Sequence, residues 1–147
     1  MAEREFIRVK IEERVALLTI DRPPVNALNF QTMQELSETF NELADKGEVK
    51  VIVLTGEGKN HTFIAGADLK EMAQLKSSKE AEEIARKGQS VFNQIERMKK
   101  PVIAAVNSVC VGMAWLKESN IPETDSLAAF FSHPVKNNPI ISTIKVI

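Results

Sequence analysis

Three short apolar runs, Val15 to Ile20, Val49 to Thr55 and Val102 to Val106, are separated by long stretches whose apolar residues return every three or four positions. Runs of this length suit strands, and the intervening spacing suits helices that bury one face. A strand followed by a helix and another strand needs a crossover connection, which favours α/β layering with parallel neighbours. Val15-Ala16-Leu17-Leu18-Thr19-Ile20 has no polar alternation, so it is expected to be a strand covered on both faces.

The rest of the chain fits between these runs. Ile7, Val9 and Ile11 alternate on one side of Phe6 to Glu12, a half-buried strand, and Glu12-Glu13-Arg14 is short enough for a hairpin. Asp21-Arg22-Pro23-Pro24 ends the sheet, because prolines cannot donate to a ladder. Asn29 is placed to cap a helix carrying Met33, Leu36, Phe40 and Leu43, which stops near Gly47. Gly56-Glu57-Gly58 ends the next strand, and a loop leads through Ala65-Gly66-Ala67 to a short helix reaching Leu75. Ser77-Ser78-Lys79-Glu80 has the form of a capping box. Behind it Ala81, Ile84, Ala85, Gly88, Val91, Phe92, Ile95 and Met98 make one stripe. The expected order is β-β-α-β-α-α-β.

Beyond Gly112 the pattern changes. Met113 to Glu118 suits one helical turn and Ser119 to Asp125 a loop. Leu127 to Phe131 and Ile140 to Ile147 are apolar enough to dock on a core, while Pro134, Asn137, Asn138 and Pro139 interrupt longer elements.

Lys and Arg total 19 against 20 Asp and Glu in 147 residues, a balance that points to neither nucleic acid nor an acidic membrane as partner. No apolar stretch reaches the roughly 18 residues of a membrane span. The charged start Met1-Ala2-Glu3-Arg4-Glu5 lacks a signal-peptide core. A soluble, cytoplasmic protein is expected. The single cysteine, Cys110, lies in an apolar run and reads as a small buried hydrophobe.

Several chemistries lack their residues. Gly56-Glu57-Gly58-Lys59 does not have the spacing of a phosphate loop, no Gly-x-Gly-x-x-Gly follows a strand, and no Gly-x-Ser-x-Gly elbow occurs. His61 and His133 are far apart and no cysteine cluster exists, so no metal site is expected. His61 reads as an exposed loop residue or a general base. Glu71, Glu80, Glu82 and Glu83 are available carboxylates, at positions that suit solvated helix surfaces. Ala65-Gly66-Ala67-Asp68 admits two readings. Small residues let backbone approach a ligand, with free N–H groups at the helix start; alternatively Gly66 makes a turn and Asp68 is a plain N-cap.

Three stretches in register resemble the crotonase (enoyl-CoA hydratase/isomerase) superfamily. They are Val15-Ala16-Leu17-Leu18-Thr19-Ile20-Asp21-Arg22-Pro23-Pro24-Val25-Asn26-Ala27-Leu28-Asn29, then Phe63-Ile64-Ala65-Gly66-Ala67-Asp68-Leu69-Lys70-Glu71-Met72, then Lys100-Pro101-Val102-Ile103-Ala104-Ala105-Val106-Asn107. The match runs from about Phe6 to about Gly112. It implies an α/β spiral of β-β-α units, here incomplete, with residues 1–112 as the crotonase-like part and 113–147 as a divergent tail. It also implies an acyl-CoA thioester as substrate, in the hydration of 2-enoyl-CoA during fatty-acid β-oxidation. Coenzyme A enters as part of that substrate, with no separate cofactor.

In such a family two backbone N–H groups hold the thioester oxygen. Ala67 matches the first donor and Met113 the second, while Val25, Ala27, Ala65, Gly66, Asp68 and Leu69 match the substrate-binding segments. Leu116 stands where the family has its first catalytic glutamate, and the segment of the second glutamate is not recognisable. The resemblance therefore implies a truncated, impaired hydratase. The alternative is a non-catalytic fragment that binds acyl-CoA weakly or acts as an interaction module. Isomerase, thioesterase or decarboxylase work would need an acid or base that the sequence does not place. The end of family-like sequence at Gly112 leads us to expect a truncated or frame-shifted gene or an alternative 3′ end, exposed apolar surface, self-association and low stability.

Overall fold

The structure is a computed structural model that describes residues 3–60, 62–110 and 143–146. β1 (Ile7–Glu12) and β2 (Val15–Ile20) form the expected antiparallel hairpin. Its two turn residues, Glu13 and Arg14, have φ of 46° and 69°. Two consecutive left-handed residues match the right-handed twist of the flanking strands, which is why such tight hairpins use them.

α1 (Phe30–Asp45) carries the chain back to β3 (Val51–Gly56), which lies parallel to β2. Asn29 caps α1 as expected, its Oδ1 accepting from Thr32 N at 2.9 Å and from the Thr32 hydroxyl at 2.6 Å. A 3-10 turn at Gly58–Asn60 leads to β4 (Thr62–Ile64) and α2 (Leu69–Met72). α3 (Ser78–Glu96) returns to β5 (Val102–Val106), parallel to β3, and β6 (Val109–Cys110) pairs in parallel with β4. β7 (Thr143–Val146), within the apolar piece expected at Ile140 to Ile147, pairs antiparallel with β5. The main sheet has the order β1-β2-β3-β5-β7, and β4 and β6 make a second, two-stranded sheet.

Alternate residues explain the core. Ala16, Leu18 and Ile20 of β2, Ile52 and Leu54 of β3, and Val102, Ala104 and Val106 of β5 are buried. Leu36, Phe40 and Leu43 of α1 and Val91 and Ile95 of α3 are buried in the same core. Burying one such large side chain contributes about 1.5–3 kcal/mol. Gln94 of α3 ties the helices together, donating to Ser37 O at 3.0 Å and accepting from the Ser37 hydroxyl at 2.7 Å.

The expectation of a β2 covered on both sides is corrected. Val15 and Leu17 remain 37% and 38% exposed, so the apolar run is buried on one face only. In the capping box, Ser77 caps α3 as expected, but Glu80 reaches Lys76 N at 2.7 Å, one residue before the cap. β3 also runs through Gly56 instead of stopping at Thr55. A β-carbon at Gly56 would sit 2.5 Å from the Phe63 carbonyl oxygen, so glycine is what lets β3 and β4 touch.

Candidate active site: the turns at 21–28 and 65–72

One turn leaves the main sheet at the end of β2 and another leaves the two-stranded sheet at the end of β4, and the two run side by side. Their junction is Asn26, fully buried and in the left-handed region at φ 55°, a conformation that asparagine tolerates better than most residues. Its amide nitrogen donates to Thr62 O at 2.7 Å, and its Oδ1 accepts from Arg22 N at 2.9 Å and from Asn60 Nδ2 at 2.7 Å. One side chain thus joins the turn after β2, the 3-10 turn and β4. Burial without these partners would cost the full desolvation of an amide.

Arg22 makes the second link. Its Nη2 lies 2.6 Å from Asp68 Oδ2 and its Nη1 donates to Ala27 O at 2.9 Å. Its guanidinium carbon stands 5.5 Å from the centre of the Phe6 ring, within cation–π range. Burial by itself raises the Asp68 carboxyl. The Arg22 hydrogen bond, the Glu71 and Lys70 backbone N–H groups and the Arg22 charge outweigh it, and hold the group below its ordinary 3.8.

Between these links the backbones meet as a short parallel ladder. Leu28 N donates to Gly66 O at 2.7 Å and Asp68 N to Leu28 O at 2.9 Å, with Ala67 opposite Leu28. In such a pairing the residue between the two bonded groups turns its own N–H to the other side. Among the described residues, neither Gly66 N–H nor Ala67 N–H meets an acceptor. Gly66 has φ 88°, open to glycine at no steric cost. The result is an Ala67 amide on a turn whose Ala65 N–H, Gly66 C=O and Asp68 N–H are bonded to the first turn.

The structure brings most of the expected site residues together. Val25, Ala27, Ala65, Gly66, Ala67, Asp68 and Leu69 all lie on the two paired turns, and Val25 and Leu69 are 40% and 74% exposed. Asp68 is both N-cap and ion-pair partner: Oδ1 accepts from Lys70 N at 2.9 Å and Glu71 N at 3.3 Å. Of the two readings of this segment, the N-cap describes Asp68, which takes two of the N–H groups at the helix start. The Gly66 and Ala67 amides, without an acceptor among the described residues, belong to the turn before the helix. Met113, Leu116, His61 and His133 lie outside the described residues.

Three of the other candidate carboxylates have structural partners: Glu71 accepts from Phe30 N at 2.8 Å and so ties α2 to α1, Glu80 accepts from Lys76 N, and Glu82 holds Arg86. Burial pushes the Cys110 thiol up to about 11, which keeps it a neutral thiol at neutral pH. A shallow depression lined by Arg86, Ser90, Asn93 and Arg97 crosses only α3 and includes no residue of the paired turns. Among the described residues no helix is long and apolar enough to cross a membrane, and no three His, Cys, Asp or Glu side chains form a metal-holding group.

Arg22, Asn26 and Asn60 are the organising residues that reading the sequence alone did not single out. For Arg22 and Asn26 the one local signal is the set of hydrogen-bonding side chains in the proline turn directly after β2, whereas Asn60 sits in the 3-10 turn after β3. Their partners on the other elements are 34 to 46 positions away.

Comparison with known proteins places the chain in a family. Residues 10–114 match the family described as enoyl-CoA hydratase/isomerase. Crotonyl-CoA hydratase of Syntrophomonas wolfei is 43% identical over 109 residues, 74% of this chain and 41% of that protein. Short-chain-enoyl-CoA hydratase of Clostridium acetobutylicum is 40% identical over 102 residues, 69% of this chain and 38% of that protein. Among solved structures, enoyl-CoA hydratase from Bacillus anthracis superposes with a TM-score of 0.69 at 27% identity, over 74% of this chain and 42% of that one. The chain thus spans about two fifths of the length of these relatives. With the paired turns, the parallel crossovers and the family match over the same residues, the chain belongs to the enoyl-CoA hydratase/isomerase family.

Proposed function

We propose that this chain holds the carbonyl oxygen of an acyl-CoA thioester on the Ala67 amide, as one donor of an oxyanion hole. The observation that carries this reading is the Ala67 N–H, turned away from the Leu28 ladder and without an acceptor among the described residues. A fixed donor aimed at developing negative charge contributes about 3 kcal/mol in comparable sites. The exposed side chains of Val25, on the first of the paired turns, and of Leu69, two residues after Ala67, supply apolar surface for the acyl or pantetheine portion. Coenzyme A is then part of the substrate, and no further cofactor is required for this step.

The substrate class is a 2-enoyl-CoA thioester, by likeness to the two hydratases named above. Hydration additionally needs a group to activate water and one to donate a proton. Leu116, at the position where the family resemblance expects a glutamate, does neither, so this reading has thioester binding retained and hydration impaired. The same residue favours the second reading, a non-catalytic acyl-CoA-binding or interaction module. Met113 is the proposed second donor. The half-exposed Val15 and Leu17 support self-association in either case.

Purified protein assayed with crotonyl-CoA tests this. Measurable thioester binding, with hydration far below that of a competent hydratase, is the expected result. Ala67→Pro removes the donor and should abolish the preference for thioester; binding unchanged by that substitution would overturn the assignment.

A further inference from the structure

We propose that Arg22 is the positioning residue that aims the Ala67 amide, acting through Asp68 and Ala27. This rests on the thioester reading above and concerns how the donor is held. The Gly66–Ala67 peptide is planar, so the direction of Gly66 C=O dictates the direction of the Ala67 N–H. That carbonyl accepts from Leu28 N at 2.7 Å. The donor is therefore aimed only as well as the Leu28 rail and the Asp68 rail are held against each other.

Arg22 grips both rails with one planar fork. Nη1 donates to Ala27 O at 2.9 Å, next to Leu28, and Nη2 pairs with Asp68 Oδ2 at 2.6 Å, next to Ala67. Its own N–H is fixed on Asn26 Oδ1 at 2.9 Å, and the Phe6 ring backs the guanidinium. Both charged side chains are mostly shielded, with 19% and 14% exposure. Apolar packing anchors the Leu28 rail, whose side chain is buried in the core, but not the Asp68 rail, because α2 has no buried residue. Glycine at Gly66, φ 88°, imposes no preference of its own. Lysine would restore the charge beside Asp68 but not the second directed bond to Ala27.

The experiment compares butyryl-CoA with its thioether analogue, S-butyl-CoA, which lacks the carbonyl oxygen. The affinity ratio isolates the grip on that oxygen, since all other contacts are shared. The same samples, with the thioester carbonyl carrying 13C, give the infrared carbonyl stretch on binding. Arg22→Met is expected to lower the thioester preference about tenfold and to remove the downshift of the stretch. S-butyl-CoA affinity should stay within about threefold, and Arg22→Lys should recover part of the effect.

A wild-type preference that survives intact in folded Arg22→Met would overturn the positioning role and leave the oxyanion donor standing. A wild type without preference, or a preference that survives Ala67→Pro, would overturn both. Where Arg22→Met does not fold, Asp68→Asn keeps the N-cap and loses the ion pair. Loss of preference in that variant supports the role and retention overturns it.

Discussion

The strand–helix core and the paired turns are held by different forces, although the turns continue directly from strands β2 and β4. Phe40, Leu36, Leu43, Leu18 and Ile52 hold the layers by burial, which is proportional to area and indifferent to direction. The turns at 21–28 and 65–72 are held by directed bonds: Asn26 to Thr62, Arg22 to Asp68 and Ala27, Glu71 to Phe30. The first kind of cohesion sets where elements lie. The second sets where a single N–H points. A site that must meet one oxygen atom needs the second, and the core supplies the platform that makes those bonds geometrically available.

Substitution in each region separates the two. Phe40→Ala empties a fully buried position in α1 and should cost about 3–5 kcal/mol in denaturant unfolding. In whatever fraction stays folded, the thioester-over-thioether preference should be kept, because no bond of the turns involves Phe40. Asn26→Ala should cost less, about 2 kcal/mol, by leaving Thr62 O and the Arg22 and Asn60 donors without their partner. It should nevertheless lose that preference. If Phe40→Ala proved the more damaging to the preference at equal folded fraction, the division between platform and aim would fail.

The smallest expected effect is on pH dependence. Arg22 and the Lys70 and Glu71 amides hold the Asp68 carboxyl below its ordinary 3.8, against burial, which raises it. A folded value below the unfolded one contributes stability that is fully present above the unfolded value. That stability is lost as pH falls through the folded value. The denaturation midpoint of the wild type should therefore fall more steeply below about pH 4 than that of Asp68→Asn. Their difference is expected to shrink with acidification; parallel curves would show that the pair contributes nothing to folding.

Much of the fold was legible because periodicity is local. The strand runs, the Asn29 cap and the α3 stripe all express burial within a few residues of themselves. The one-sided burial of β2 was not legible. An apolar run reads the same whether its second face is covered or open, and Val15 and Leu17 carry no sign of which applies. Within the site, the Gly66 turn and the Asp68 cap were visible because turn chemistry is also local. Arg22 was visible only as part of a sheet ending, since its ion-pair partner is 46 residues on.

The sequence alone determined an α/β chain with crossovers, a glycine turn opening a capped helix, and membership of a family through motifs in register. Those properties follow from side-chain type and spacing. Tertiary structure decided that the Ala67 amide faces away from its Leu28 partner and that Arg22 spans both rails. It also decided that Asp68 serves the turn as cap and counter-ion together. The reason is physical: a hydrogen bond depends on angle and distance between groups far apart along the chain, and only the packed layers bring those groups within reach.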